Sequence, residues 1–64
     1  MVKINGEAKE IAGKNLLEYL KETGFKPEWV VVERNLEIIP KELLGDVTIE
    51  DEDEIEVLRF VGGG

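Results

Sequence analysis

Side-chain chemistry has little to work with in this sequence. Histidine and cysteine are absent, and so is serine. Ordinary catalysis needs a base near neutral pH and an activated nucleophile. The hydroxyls are those of Thr23, Thr48 and Tyr19. Thr23 falls at a helix end and Thr48 in a strand-like stretch, neither beside an activator. Carboxylates abound, but a chain of 64 residues has little room for a cleft that would raise the pKa of one. No side chain is assigned a catalytic role. The run Glu50-Asp51-Glu52-Asp53-Glu54 lacks the alternating ligands and central glycine of a calcium loop. It reads as a solvated turn, and no metal site is expected.

The remaining reactive group is main-chain. The sequence closes on Gly62-Gly63-Gly64 immediately after a strand-like stretch. Glycines contribute no packing and have the greatest backbone freedom, so residues 62–64 are expected to form a flexible tail after a domain spanning 1–61. A bare frayed end is the plain alternative. A tail without Cβ atoms fits a narrow slot in another protein, and three extended residues reach ~10 Å. An α-carboxyl with a pKa of about 3.3 to 3.7 is ionised at neutral pH. The Gly64 carboxylate can attack the α-phosphate of ATP. The resulting acyl-adenylate accepts a sulfur nucleophile and becomes a thiocarboxylate. Every catalytic group can then belong to the partner, with Gly62 and Gly63 occupying its slot.

Such a tail needs a compact body behind it. Val2 and Ile4 alternate with polar neighbours as in a half-buried strand, and Asn5-Gly6 is a strong hairpin signal. Glu7 to Ile11 is the expected returning edge strand. Asn15 with Glu18 three later has capping-box spacing, and Leu16, Tyr19 and Leu20 form one apolar stripe. Gly24 suits the left-handed position after the helix, with Phe25 folding back on Leu20. Trp29-Val30-Val31-Val32 reads as a strand, Ile38-Ile39 as a short one, and Lys41 to Leu44 as a helical turn ending at Gly45. Ile55 to Val61 is the last strand.

A hairpin, a helix and further strands in this order make an α+β fold. A last strand lying parallel beside the first gives the β-grasp (ubiquitin-like) topology, a mixed four- to five-stranded sheet with one helix on one face. Leu16, Tyr19, Leu20, Val30, Val32, Ile55 and Val57 are the expected core. Alternation turns Leu58 and Phe60 to the other face. They form a partner-docking patch, unless a loop covers them.

Eight basic and fifteen acidic residues give a net charge of −7. Phosphate backbones and anionic membranes would be repelled, so neither nucleic acid nor membrane is an expected partner; a basic protein surface is. No apolar run approaches the ~20 residues of a bilayer span, and Met1 to Asn5 lacks a signal peptide's apolar stretch. The expected location is cytoplasmic.

The stretches Met1-Val2-Lys3-Ile4-Asn5-Gly6, Asn15-Leu16-Leu17-Glu18-Tyr19-Leu20, Val31-Val32-Glu33-Arg34-Asn35, Ile38-Ile39-Pro40, Asp53-Glu54-Ile55-Glu56-Val57 and Phe60-Val61-Gly62-Gly63-Gly64 together resemble the ThiS family of thiamine-biosynthesis sulfur carriers. The resemblance runs over essentially the whole chain, and the glycine ending is its most specific part. It implies a non-enzymatic carrier without a bound cofactor. It also implies adenylation of Gly64 by a ThiF-type enzyme that consumes ATP. Sulfur would come from a donor such as a cysteine desulfurase and pass to the thiazole synthase ThiG. Relatives often carry Asp-Gly-Asp where this chain has Asp51-Glu52-Asp53, and glutamate disfavours a positive φ there. The rival readings are a MoaD-like carrier for molybdopterin, a carrier for tRNA thiolation, and a protein modifier joined to lysine through Gly64. Phe60-Val61, in place of a proline-containing stretch, favours ThiS over MoaD.

Overall fold

The computed structural model describes residues 1–59; Phe60, Val61, Gly62, Gly63 and Gly64, with the expected tail, lie outside the described residues. The opening hairpin pairs β1 (Val2–Ile4) with β2 (Glu7–Lys9). Asn5 and Gly6 both have positive φ, 50° and 86°, which is what a type I′ turn requires. The returning strand stops at Lys9, short of Ile11. Helix α1 (Leu16–Glu22) starts where the Glu18 N–H donates to Asn15 Oδ1 at 3.1 Å. It ends in a Schellman motif: the Phe25 N–H donates to Leu20 O at 2.9 Å and the Gly24 N–H to Lys21 O at 3.2 Å. Gly24, at φ 92°, makes that reversal without a Cβ penalty.

Strand β3 (Val30–Arg34) pairs with β4 (Glu37–Ile39), and β5 (Glu54–Arg59) closes the sheet. The order is β2-β1-β5-β3-β4. Strand β5 lies parallel to β1 and antiparallel to β3. This is the expected β-grasp arrangement with five strands. Trp29 departs from its expected strand position. Its N–H donates to Lys26 O at 2.8 Å, closing a 3-10 turn over Pro27–Trp29 before β3 begins.

All seven expected core residues are buried. Val2, Ile4, Leu44 and Ile49 complete the cluster. Leu44 comes from a 3-10 segment, Lys41–Asp46. Ile49 is held by a backbone pairing in which Gly13 N–H donates to Ile49 O and Ile49 N–H to Lys14 O. Each such side chain contributes about 1.5–3 kcal/mol on burial, so this second layer matters in so small a domain.

The acidic run is not uniformly solvated. Asp53 is 4% exposed. It accepts hydrogen bonds from Arg34 Nε at 2.8 Å, Asn35 Nδ2 at 3.1 Å and the Glu50 N–H at 2.9 Å. Glu54 already belongs to β5. Five successive acids look alike in composition, and only the fold brings Arg34 to one of them. Glu52 holds a φ of 70° despite its side chain, so the turn keeps a positive φ without a glycine.

The β3–β4 turn carries the same kind of strain. Asn35 and Leu36 have φ of 53° and 72°. Asparagine tolerates this region, whereas leucine is disfavoured there. Leu36→Gly is expected to stabilise the domain by about 0.5–1 kcal/mol, once lost strain is set against gained chain entropy. The urea midpoint should rise with an unchanged slope. A fall would mean that Leu36 contributes packing that its 91% exposure does not suggest.

Candidate functional site

Period-two alternation sorts β5 cleanly. Ile55 and Val57 are buried under α1, while Glu54, Glu56 and Leu58 face the other way and are exposed. Leu58 retains 48% of its surface, so no loop covers it among the described residues. Of the two readings of this face, the exposed patch holds for Leu58; Phe60 lies outside the described residues. The pairing register supplies what surrounds Leu58. Val31 sits opposite it and Glu33 sits opposite Glu56; Ile38 pairs with Glu33 on the far side. Ile38 is 65% exposed, and Leu36 projects from the adjoining turn.

These neighbours were not singled out from the sequence. The signal was present in the run Val30-Val31-Val32, where alternation must send Val31 to the face opposite Val30 and Val32. Assigning the partner of each position needed the register, which sequence spacing alone does not supply.

The open face is also acidic. Glu33 and Glu56 stand directly opposite each other in the β3–β5 ladder, an arrangement that costs stability. Glu54 lies on the same face, opposite Lys3 of β1. Leu58, Val31, Ile38 and Leu36 thus border a carboxylate stripe, and a partner with a basic rim around an apolar centre complements it.

Asn5 stiffens the strand that ends at this site. Beyond the last β1–β5 backbone pair, the Val57 N–H donates to Asn5 Oδ1 at 2.8 Å. The turn residue therefore extends the ladder by one rung after the main chain has turned away. From Arg59, the last residue of β5, the chain continues into the sequence that closes on Gly62, Gly63 and Gly64.

At the opposite end of β5, Asp53 has a perturbed carboxyl. Burial pushes its pKa up, but the hydrogen bonds from Glu50, Arg34 and Asn35 outweigh that and hold it below the usual range. This group anchors two turns. It is enclosed by its partners. The Thr23 hydroxyl is likewise engaged, donating within the helix end to the Tyr19 and Leu20 carbonyls. Among the described residues, no group of three or more His, Cys, Asp or Glu side chains is placed to hold a metal ion. No helix among them is long and apolar enough to cross a membrane.

The ThiS family model matches residues 2–64. A crystal structure of the thiamine biosynthesis protein ThiS from Geobacter metallireducens superposes with a TM-score of 0.78 at 33% identity, covering 98% of this chain and 97% of that one. A sulfur carrier protein ThiS from Bacillus subtilis is 57% identical over 35 residues, 55% of this chain and 53% of its own. A thiazole synthase from Paramagnetospirillum magneticum is 42% identical over 62 residues, 95% of this chain. This chain spans only 19% of that synthase and 20% of a second one, from Magnetococcus marinus.

Proposed function

The chain belongs to the ThiS family, and from that membership we propose that it is a sulfur carrier of thiamine biosynthesis, loaded and unloaded at the Gly64 carboxylate. The observation that carries this reading is the reach of the family match. It extends through residue 64 and so includes the glycine ending.

Loading takes three steps. An oxygen of the Gly64 carboxylate attacks the α-phosphorus of ATP and expels pyrophosphate, leaving an acyl-adenylate. The terminal sulfur of a donor persulfide then adds at the acyl carbon and expels AMP, giving an acyl disulfide. A second thiol of the loading enzyme attacks the donor-side sulfur, is oxidised with it to a disulfide, and releases the thiocarboxylate. Carboxylate oxygen is a poor leaving group and AMP a good one, so the ATP is spent on activating the carbon for sulfur. This chain supplies the acyl group and an exposed docking face. The base, the phosphate-binding groups and the water-excluding slot belong to a ThiF-type enzyme. A donor such as a cysteine desulfurase provides the sulfur.

The thiazole synthases that carry a stretch similar to this chain support a ThiG-type acceptor as the second partner. A module joined to its acceptor presents its tail at high effective concentration; a free carrier must dock instead. Leu58 and Phe60 are assigned to docking on the activating enzyme as well as on the acceptor, with Val31 opposite Leu58 and Ile38 farther out on β4 beside Glu33.

The test is ATP–pyrophosphate exchange catalysed by a ThiF-type enzyme with this chain as acyl substrate. Leu58→Glu should raise the KM for the carrier by roughly 10- to 100-fold, since a central apolar anchor is worth about 1.5–3 kcal/mol, with kcat little changed. An unaltered KM would remove Leu58 from the docking surface. A wild-type chain that supports no exchange would refute the reading itself. Gly64 found in isopeptide linkage to lysines would point to a protein modifier.

A further inference from the structure

The side of the sheet that carries α1 holds a second surface at the same end of β5. A depression of about 380 Å³ is lined by Gly24, Lys26, Trp29, Val30 and Arg59. It lies where the helix-terminating loop and the 3-10 turn meet the last rung of the β3–β5 ladder, the Val30–Arg59 pair. Trp29 is 50% exposed. The Arg59 guanidinium stacks over Phe25, 5.2 Å from the ring centroid.

The chain carries −7. Lys9, Lys14 and Arg34 are each paired with a carboxylate, whereas among the described residues Lys3, Lys21, Lys26, Lys41 and Arg59 are not; of these, Lys26 and Arg59 line one depression. Among the described residues no carboxylate lies within 4.0 Å of Lys26 or Arg59. Two uncompensated cations and a half-exposed indole therefore share one concavity on an acidic protein. Arginine and tryptophan are also the residue types most enriched at binding hot spots.

Position supplies the occupant. Five residues follow Arg59, which span at most ~18 Å when extended. An enzyme that draws Gly64 into a slot must bring the mouth of that slot within this distance of Arg59. We propose that the Lys26–Trp29–Arg59 pocket is a contact surface for the mouth of the activating enzyme's slot, and that it takes an acidic segment there. Carboxylates of that segment pair with Lys26 and Arg59, and an apolar side chain packs on Trp29. This inference rests on the proposed function. It adds a second surface, on the sheet side opposite Leu58, so that the mouth grips the base of the tail from both sides.

The test uses the full chain in ATP–pyrophosphate exchange at low and moderate salt. Lys26→Glu with Arg59→Glu should raise the KM for the carrier by roughly tenfold at low salt and flatten its salt dependence, leaving kcat unchanged, because rim charges act on encounter. Lys26→Arg, which keeps the charge and leaves the Arg59–Phe25 stack intact, should retain the wild-type salt dependence. Thermal melting checks the fold; if the reversed variant unfolds, Lys26→Gln with Arg59→Gln is read in its place and should show about half the logarithmic effect. Trp29→Ala should raise KM at both salt concentrations alike. A KM for the charge-reversed variant within twofold of wild type, with the same salt response, overturns this inference and leaves the proposed function standing. Absence of exchange with the wild-type chain overturns both.

Discussion

Deleting Gly63 and Gly64 is expected to abolish ATP–pyrophosphate exchange, while the thermal midpoint stays within about 2 °C of wild type, as for a change that removes no side chain. The reason is reach. Shortening the tail by two residues withdraws the carboxylate by ~7 Å, and misplacement by even ~1 Å can cost about 100-fold in a positioned reaction. Gly62 would still end in a carboxylate of ordinary chemistry, so a result at background attributes the loss to placement. Among the described residues the eleven buried core residues all lie between Val2 and Val57. Retained exchange in the truncated chain would show that the tail is not the loaded element. Isothermal denaturation should be superimposable for the two proteins.

The largest effect on stability is expected at Asp53. Asp53→Ala leaves Arg34, Asn35 Nδ2 and the Glu50 N–H without their common acceptor. Unsatisfied groups of this kind cost about 1–3 kcal/mol each, less where water reaches them, so about 3 kcal/mol in all is the expected loss. A domain of this size has on the order of 3–10 kcal/mol to lose. At roughly 4–8 °C per kcal/mol, the midpoint should fall by about 12–24 °C.

The pH dependence has a definite sign. The folded-state carboxyl is held below its ordinary range, against about 3.9 in an unfolded chain. Its contribution is therefore fully present above the unfolded value and is lost as pH falls through the folded one. The stability gap between wild type and Asp53→Asn should be constant near neutrality and close as acid is added below about pH 4. A gap that widens in acid would contradict the assignment. Activity per folded molecule should be unaffected, because Asp53 precedes β5 at the end opposite Arg59.

Local chemistry was legible in the sequence wherever one residue type answers one backbone need. Asn5-Gly6 supplies the positive φ of a tight hairpin, Asn15 caps the helix, and Gly24 followed by Phe25 ends it. Each needs only its immediate neighbours. The apolar stripe of α1 and the alternation in β5 were readable for the same reason.

What escaped depends on contacts remote in sequence. Ile49 is core because it pairs with Gly13 and Lys14, and nothing in Val47-Thr48-Ile49 announces that. Asp53 is buried because β3 delivers Arg34 to it across 19 positions. Asn35-Leu36 makes a turn that its composition disfavours, since the β3–β4 register leaves no other way round. Trp29 has strand propensity, but Pro27 and the Lys26 carbonyl draw it into a turn, placing its ring beside Lys26 and Arg59. Leu58 was identified from alternation. Its companions Val31 and Ile38 emerged only with the pairing, and the basic pocket only with the packing of a loop against a strand end.

The proposed carrier group is a main-chain acid at Gly64, exchanged between oxygen and sulfur forms. The most direct measurement is intact mass spectrometry of the chain taken from cells, with fragmentation to place any change. The expected result is a population heavier by the difference between sulfur and oxygen, with the gain confined to Gly64 and reversed when a thiazole-forming acceptor is added. A chain whose terminal residue carries only oxygen under active thiamine synthesis, or whose sulfur maps elsewhere, would contradict it.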